Sequence, residues 1–274
     1  MTPEGCTDTF SSSSDDPDLT VCVLASGSKG NSIYVSDGHT SLLFDAGLSG
    51  IEIERRLNSR NLSPDQLNAI IVSHEHEDHI RSVGVLARRY NLPVYMSSKA
   101  QLSASSRIGA LGQVIPLQCG CAQCINSFTI HPFYVSHDAE DPMGFTIQKN
   151  NFKIGIATDL GIVTTMVKEH LKGCQVLILE ANHDSDMLAN GPYPWHLKQR
   201  IRSRSGHLSN EDAGRLLKEI KHPDLQYVIL AHLSEQNNTP EKALREAGQS
   251  LASSSANLMV STQAVCGRLI HLHS

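Results

Sequence analysis

Residues 73–80 read SHEHEDHI and contain three histidines and one aspartate in the pattern His74-x-His76-x-Asp78-His79. They follow directly on the apolar run 69–72, which predicts a strand. Side chains two positions apart on extended backbone point to the same side, so His74 and His76 can bind one metal ion together. Asp78 and His79 can then face a second ion. Mixed imidazole and carboxylate ligands suit a hydrolytic divalent cation better than a purely structural one.

A polar loop is the alternative interpretation, with the histidines capping a helix and the acidic residues simply solvated. Other strand endings in the chain argue against it. Four apolar runs end in one small residue followed by a potential ligand, at 72–74 (VSH), 135–137 (VSH), 157–159 (ATD) and 230–232 (LAH). Strands that end at one edge of a sheet bring their ends together. The pattern therefore predicts a shared site that adds His137, Asp159 and His232 to the first motif.

The composition is typical of a globular protein of one large domain or two small ones. The chain has 274 residues, of which 40% are hydrophobic and 19% charged. No apolar run approaches the ~20 residues that cross a bilayer. Residues 1–18 lack the basic and apolar parts of a secretory signal and predict a disordered tail before a domain at 19–274. We take a cytoplasmic location as the default expectation.

The net charge of −5 provides no overall attraction for nucleic acid, so a polyanionic substrate needs local positive features. One candidate is a basic run beside two aromatic residues, made of Tyr193, Trp195, Lys198, Arg200, Arg202 and Arg204. Basic and aromatic groups together suit contacts with a strand's phosphates and bases. A solvated helix face fits the same residues equally well.

Seven cysteines are an odd number and are mostly isolated, which argues against a disulfide framework. Cys119, Cys121 and Cys124 are the exception. These three thiols suggest metal binding or redox sensing, but a structural zinc site usually needs four ligands, and the sequence offers no fourth nearby. We favour a hairpin turn that happens to carry cysteines.

Several elements follow from periodicity and turn residues. Strands are predicted at 20–25, 33–36, 41–45, 69–73, 128–135, 143–148, 152–157, 175–179 and 227–231. Helices are predicted at 51–61, 80–90, 162–171 and 211–220, with Asp78 at the N-cap of the second. The glycine-rich segment 26–32 lacks the spacing of a phosphate-binding P-loop, so we expect a tight turn whose amides approach the site.

The segment 205–209 (SGHLS) is a candidate phosphate site. Ser209 and Asp212 have near-capping-box spacing, so His207 is predicted to lie just ahead of a helix N-terminus, where exposed amides favour anions. A protonated His207 can also donate a proton to a leaving oxygen. A simple helix cap with an exposed histidine is the alternative. Asn182 and His183, at another strand end, are further candidates for substrate contact.

The chain also resembles a known family. Its ordered set His74, His76, Asp78, His79, His137, Asp159 and His232 is similar to the ligands of the metallo-β-lactamase-fold hydrolases. The segments LASGSKGNS, FDAGLSG, SHEHEDHI, VSHDA, IATDLG, LEANHD, GPYPWHLKQRI, GHLSNEDA and AHLSEQNNTPE resemble the YycJ/WalJ subfamily, from about Val21 onward. The resemblance implies an αββα sandwich with two mixed sheets. It also implies a phosphodiesterase acting on DNA ends, typically a 5′-to-3′ exonuclease related to RNase J and tRNase Z.

Carried over to this sequence, the resemblance implies that the protein binds two divalent metal ions. These would be Zn or Mn, and Mg is also possible. His74, His76 and His137 would hold one ion, Asp78, His79 and His232 the other, and Asp159 would bridge them. The candidate catalytic residues are Asp78, Asp159 and His207, and the candidate substrate contacts are His207, Ser209, Asn182, His183, Lys198 and Arg200. Asp138 or Glu180 would orient ligand imidazoles.

Nucleic acid is the expected partner, DNA rather than RNA, with no membrane involved. The chain departs from the family in its Cys119 to Cys124 insert, and it lacks the long extra domain of RNase J-type nucleases, which favours an open cleft. Two other functions fit the same motif. One is hydrolysis of a small thioester or lactam, and the other is non-catalytic nucleic-acid binding.

Overall fold

The computed structural model describes residues 18–273 of the chain. Most of the predicted disordered tail lies outside these residues. Its last residue, Asp18, is described, and its amide donates a hydrogen bond to the carbonyl of Leu272 at 2.9 Å. No helix within 18–273 has the length and apolar character needed to cross a bilayer.

The first sheet is mixed and has seven strands. Their spatial order is β14 (Ile270–Leu272), β1 (Leu19–Ala25), β2 (Ser32–Ser36), β3 (Ser41–Phe44), β4 (Leu67–Ile71), β5 (Val94–Met96) and β6 (Val114–Pro116). The pairs from β14 to β3 are antiparallel and those from β3 to β6 are parallel.

The second sheet mirrors this arrangement. Its order is β13 (Asn257–Val260), β12 (Tyr227–Ala231), β11 (Val176–Glu180), β10 (Phe152–Ala157), β9 (Met143–Lys149), β8 (Phe128–Tyr134) and β7 (Gln123–Ile125). The pairs from β10 to β13 are parallel, and those from β7 to β10 are antiparallel.

Helices flank the two sheets. They are α1 (Gly50–Asn58), α2 (Glu77–Ile80), α3 (Val83–Tyr90), α4 (Ser98–Ile108), α5 (Thr165–Leu171), α6 (Ser185–Asn190), α7 (Trp195–Arg202), α8 (Asn210–Ile220) and α9 (Pro240–Ser250), with a short 3-10 helix at Pro64–Gln66. The apolar side chains of α1, α3 and α4 pack on the first sheet, and those of α5, α8 and α9 pack on the second.

A third apolar cluster lies between the sheets, where the rings of Phe44 and Phe145 are 5.3 Å apart. Strand β1 explains why some strands are apolar at every position. Val21 and Val23 face this inner layer, whereas Cys22 and Leu24 face the helices, so both faces are buried. The predicted αββα sandwich of two mixed sheets is therefore confirmed.

Two details of the predicted helix at 80–90 are wrong. It is divided into α2 and α3, because the amide and hydroxyl of Ser82 both bind the carbonyl of Ala46, at 2.9 and 3.1 Å. The N-cap is His76, which has extended backbone, and Asp78 lies inside the first turn. The carbonyl of Asp78 accepts the amide of Asn31 at 2.8 Å, which anchors this turn to the loop after β1.

Candidate metal centre

All seven predicted ligand residues meet at one edge of the sandwich, where β4, β8, β10 and β12 end. Their potential ligand atoms form overlapping groups in which every atom lies within 4.8 Å of the others, namely His74, His76 and His137, then Asp78, His79 and His232, and then His74, His79 and Asp159. The strand endings thus come together as the sequence predicts, and they do so in two clusters joined by one carboxylate.

The first cluster consists of three imidazoles. His74 Nε2 lies 3.0 Å from His76 Nδ1, which agrees with two side chains on the same side of extended backbone. The His137 ring centroid is 5.2 Å from that of His74 and 5.1 Å from that of His76. Burial, followed by the neighbouring His79, lowers the pKa of His74 well below its usual value. A neutral imidazole is the form that binds a metal ion.

The second cluster contains one carboxylate and two imidazoles. Asp78 Oδ2 lies 3.6 Å from Nε2 of both His79 and His232. Asp159 reaches both clusters, because its Oδ1 is 3.7 Å from His137 Nε2 and 3.4 Å from His232 Nε2, and its Oδ2 is 3.2 Å from His79 Nε2. This is the position that a carboxylate shared by two cations requires.

Two atoms at the centre lack hydrogen-bond partners. Asp159 Oδ2 and His232 Nε2 are buried, and neither forms a hydrogen bond of acceptable geometry. A buried polar group without a partner costs free energy, so such groups point to an ion or ligand that completes them. The nitrogen and oxygen donors suit Zn²⁺ or Mn²⁺, and the residues present therefore fit a divalent metal centre.

The backbone is strained at the same place. Asp45, Asp159 and His232 have φ values of 60°, 55° and 55°, in the left-handed region that non-glycine residues rarely adopt. Strain of this kind persists where the surroundings enforce it, and it is concentrated at functional sites. Each of the three residues follows directly, or after one residue, on a buried strand.

Asp45 is a functional residue that the strand-end pattern did not reveal. Its carboxylate accepts hydrogen bonds from His79 Nδ1 and from the amide and hydroxyl of Ser73, each at 2.8 Å. It therefore orients His79 and the start of the SHEHEDHI loop. Asp45 follows Phe44 without the intervening small residue found at the other endings, so the rule that located the ligands passed over it.

The glycine-rich turn after β1 reaches the site mainly through side chains. Asn31 Nδ2 lies 3.0 Å from His79 Nε2 and 3.2 Å from Asp78 Oδ2. Ser26 Oγ accepts the amide hydrogen of His232 at 2.7 Å. The turn thus supports residues of the second cluster.

His207 lies beside the second cluster with its side chain 23% exposed. Its ring stacks on His232 with centroids 5.2 Å apart and planes 12° apart, and its Nδ1 lies 2.7 Å from Glu180 Oε1. Burial lowers the pKa of His207, but the Glu180 carboxylate outweighs this effect and raises that pKa above its usual value. Gly206 permits this position, since a Cβ there would lie 2.1 Å from the Ile201 carbonyl oxygen.

Ser209 acts as the N-cap of α8. Its hydroxyl oxygen accepts the amide of Asp212 at 3.1 Å, and the hydroxyl lies 2.9 Å from Asp212 Oδ2. The predicted cap is confirmed, and the hydroxyl assigned to substrate already has these partners.

Asn182 and His183 are both buried, with 4% and 3% exposure. Asn182 Nδ2 donates to the His232 carbonyl at 2.9 Å, and His183 Nδ1 has no partner. Burial leaves these side chains little surface for a substrate, and the contacts of Asn182 give it a different task, which is to hold His232.

Lys198 and Arg200 both lie on α7, but only Arg200 reaches the site. Arg200 Nε binds Asp138 Oδ2 at 2.6 Å, and Asp138 Oδ1 is 3.4 Å from His137 Nε2. Lys198 donates instead to the Ala189 carbonyl at 2.8 Å. The rim of the metal centre therefore carries one cation that is paired with an aspartate.

Cys119 lies in a turn before β7, Cys121 follows that turn, and Cys124 is in β7 itself. In the described part of the chain, no cluster of three potential metal ligands includes them. The predicted hairpin follows at β7 and β8, but its turn, at 126–127, contains none of the three cysteines.

Comparisons with known proteins support the fold and the site. The family described as "Beta-lactamase superfamily domain" matches residues 40–233. The crystal structure of the metallo-β-lactamase fold protein YhfI from Bacillus subtilis has a TM-score of 0.73 and 19% identity, covering 92% of this chain and 99% of YhfI. At that identity the likeness concerns the fold.

Two relatives are closer in sequence. Exodeoxyribonuclease YycJ of Bacillus anthracis is 40% identical over 231 residues, which are 84% of this chain and 88% of that protein. Exodeoxyribonuclease WalJ of Streptococcus pneumoniae is 38% identical over 225 residues, or 81% of this chain and 84% of WalJ. Identity at this level over most of both chains means that the chain belongs to the β-lactamase superfamily and, within it, to the family of the YycJ and WalJ proteins.

Proposed function

We propose that this protein is an exodeoxyribonuclease that uses two divalent metal ions and degrades DNA from the 5′ end. The observation that carries the proposal is the position of His207. Its ring stacks on His232 of the second cluster and is hydrogen-bonded to the buried carboxylate of Glu180. A metal centre with a protonatable imidazole beside it suits cleavage of a phosphodiester, whose leaving oxygen needs a proton. The names of the YycJ and WalJ relatives support DNA as the substrate.

The seven ligand residues would hold the two ions. His74, His76 and His137 would hold one ion, Asp78, His79 and His232 the other, and Asp159 would contact both. When bound, such a pair supplies a hydroxide nucleophile and neutralises charge on the phosphoryl oxygens. No serine or cysteine side chain is needed as a nucleophile.

His207 would hold the proton for the leaving oxygen. Glu180 Oε1 accepts its Nδ1 hydrogen, so the imidazolium form is stabilised. Glu180 is itself fixed, because its Oε2 accepts the amides of Leu160 at 2.6 Å and Leu208 at 3.3 Å. The proton on the far side of the ring would pass to the oxygen released when the phosphodiester breaks.

Arg200 would bind the DNA backbone at the rim. Its present partner is Asp138, and a phosphate, like that carboxylate, offers two acceptor oxygens that a planar guanidinium can bind together. Other cations of α7 and the following loop, among them Arg202 and Arg204, are exposed along the same stretch. This local positive strip would offset a net charge of −5.

Product analysis tests the proposal. Single- and double-stranded DNA and RNA, each labelled at the 5′ or the 3′ end, are digested with Mn²⁺, Zn²⁺ or Mg²⁺, and a thioester and a β-lactam are assayed in parallel. We expect early release of the labelled 5′ nucleotide from DNA. Cleavage of the thioester or lactam alone would show a carbon-centred hydrolase. Tight DNA binding without metal-dependent cleavage would show a non-catalytic binding protein.

A further inference from the structure

Two cysteines outside the metal centre lie side by side. Cys22 is in the middle of β1 and is completely buried, and Cys266 is half-buried in the segment that joins β13 to β14. The Gly267 amide donates to the Val23 carbonyl at 2.9 Å, so the two chain segments are adjacent. Both sulfurs also contact the carbonyl oxygen of Gly267, at 3.3 Å from Cys22 and 3.6 Å from Cys266.

Arg60 places a positive charge beside this pair. Its Nε donates to the Gly267 carbonyl and its Nη2 to the Cys266 carbonyl, both at 2.6 Å. A hydrogen bond from Cys22, the largest effect, lowers the pKa of Cys266 to about 6, and Arg60 contributes in the same direction. That bond and burial raise the pKa of Cys22. Cys266 is thus the more acidic thiol of the pair, and the buried Cys22 is the less acidic one.

Other cysteines of the described chain have a different environment. Burial raises the pKa of Cys174 to about 12 and that of Cys119 to about 11. Both thiols therefore stay protonated near neutral pH, and a protonated thiol is a poor nucleophile. The environment of Cys266 is the electropositive, partly exposed kind in which reactive cysteines occur.

We propose that Cys22 and Cys266 are a redox-active pair that a peroxide converts to an intramolecular disulfide. The Cys266 thiolate attacks one peroxide oxygen, which forms an S–O bond, breaks the O–O bond and releases hydroxide. Oxidation removes the thiolate charge of Cys266, which is one cause of the raised pKa of Cys22. Cys22 then attacks the sulfenic sulfur, and its proton leaves with the hydroxyl group as water. The released hydroxide takes up the proton that Cys266 lost on ionising, so two electrons pass from the two sulfurs to the peroxide and two water molecules form.

The position of the pair relates it to the metal centre. Gln263, three residues before Cys266, accepts the Lys29 amide at 2.8 Å and donates to the Gly30 carbonyl at 2.9 Å. Those contacts brace the turn that carries Asn31, the neighbour of Asp78 and His79. A bond between Cys22 and Cys266 would tie this bracing segment covalently to β1.

Mass spectrometry of the oxidised protein tests the pair. In the full chain with Cys6, Cys119, Cys121 and Cys124 changed to Ser, stoichiometric hydrogen peroxide should remove two hydrogen atoms and link the peptides of Cys22 and Cys266. Cys22→Ser should instead leave a sulfenic acid on Cys266 that dimedone traps. Cys174→Ser is the matched control and should still form the link. An oxidised, folded protein whose Cys22 and Cys266 peptides stay separate would overturn the proposal.

A second measurement uses the native chain, with Arg60→Lys as a comparison. At pH 7 a thiol with a pKa of about 6 is roughly 90% ionised, against about 1% at the ordinary value near 9. After allowing for the weaker nucleophilicity of an acidic thiolate, Cys266 should react with iodoacetamide about fourfold faster in the folded chain than in urea. Its rate should rise with a midpoint near pH 6, and Arg60→Lys should preserve this midpoint. A midpoint of 8.5 or above would count against the pair.

Discussion

The buried Glu180 carboxylate joins His207 to the metal centre. Its Oε1 accepts the Nδ1 hydrogen of His207 at 2.7 Å and lies 3.5 Å from Nδ1 of His232. One oxygen therefore borders both the proposed proton donor and a proposed metal ligand. Because Glu180 is fully buried, its charge acts on these imidazoles with little screening by water.

Glu180→Gln should shift the pH dependence of cleavage. The glutamate raises the pKa of His207 against the effect of burial, so its removal lowers that pKa. Activity that needs protonated His207 is present below its pKa and is lost as pH rises through it. The alkaline limb of the kcat/KM profile should therefore move to lower pH, with about 100-fold less activity at pH 7.5. The same substitution in a His207→Ala background should produce no further shift, and an unchanged limb in the single variant would contradict the assigned role.

Asp159→Ala and His76→Ala should abolish turnover, with a loss of at least ~1,000-fold, because each removes a ligand of the metal centre. Metal analysis should show depleted protein in both cases. His207→Ala should lower activity by about 100-fold while the metal stays bound. Full activity in the first two variants, or metal loss in the third, would show that these roles are misassigned.

Asp45→Asn should weaken metal binding without removing any ligand. The neutral amide cannot hold His79 Nδ1 and Ser73 as the carboxylate does, and substitutions of such supporting residues typically cost 10–100-fold in affinity. Competition with a fluorescent chelator measures the affinity. Asp65→Asn, at an exposed aspartate in the 3-10 helix, is the matched control and should leave it unchanged.

Arg200→Ala should raise KM for DNA more than it lowers kcat. Removing one phosphate contact should also make the slope of log K for DNA binding against log salt concentration shallower by about one. Arg107→Ala, at an exposed arginine of α4, removes the same charge elsewhere and serves as the control. Equal effects of the two variants would mean that only net charge matters.

Asp37→Asn should destabilise the fold far from the site. Asp37 is buried and pairs with Lys149 and Ser127, and burial raises the pKa of its carboxyl less than these bonds lower it. The ionised Asp37 carboxylate stabilises the fold fully above pH 3.8, its ordinary pKa. This stabilisation is lost as pH falls through the lower pKa that Asp37 has in the folded protein. We expect the substitution to lower the free energy of unfolding by about 3 kcal/mol at pH 7 and by less than this below pH 4. Urea unfolding in EDTA measures it, and an equal loss at pH 3 and pH 7 would contradict the ionic pairing.

Strand endings explain why the ligands were predictable. In the sequence, an apolar run and one small residue precede each of His137, Asp159 and His232. In the structure, two, one and no residues separate them from the ends of β8, β10 and β12, and strands of a sandwich must end at its edges. Local patterns of this kind depend on the period of two and on the exclusion of polar groups from a core. Such patterns can be recognised in the sequence without knowing which residues are in contact in space.

The helix boundary and the supporting residues depend on contacts between residues that are far apart in the sequence. The helix predicted at 80–90 breaks because Ser82 binds Ala46, more than 30 positions earlier. The role of Asp45 likewise depends on its hydrogen bond with His79. The role of Asn182 depends on its hydrogen bond with the His232 carbonyl. None of these partners can be read from spacing.

By itself, the sequence determined the apolar strands of the sandwich, the candidate ligand residues at their ends and the helix start at Ser209, since each follows from residues close together in the chain. Only the tertiary structure decided what surrounds them. It placed Glu180 against both His207 and His232, buried Asn182 and His183, and paired Cys22 with Cys266 across 244 positions. The physical reason is that hydrogen bonding and charge act over a few ångströms of space, whatever the separation along the chain.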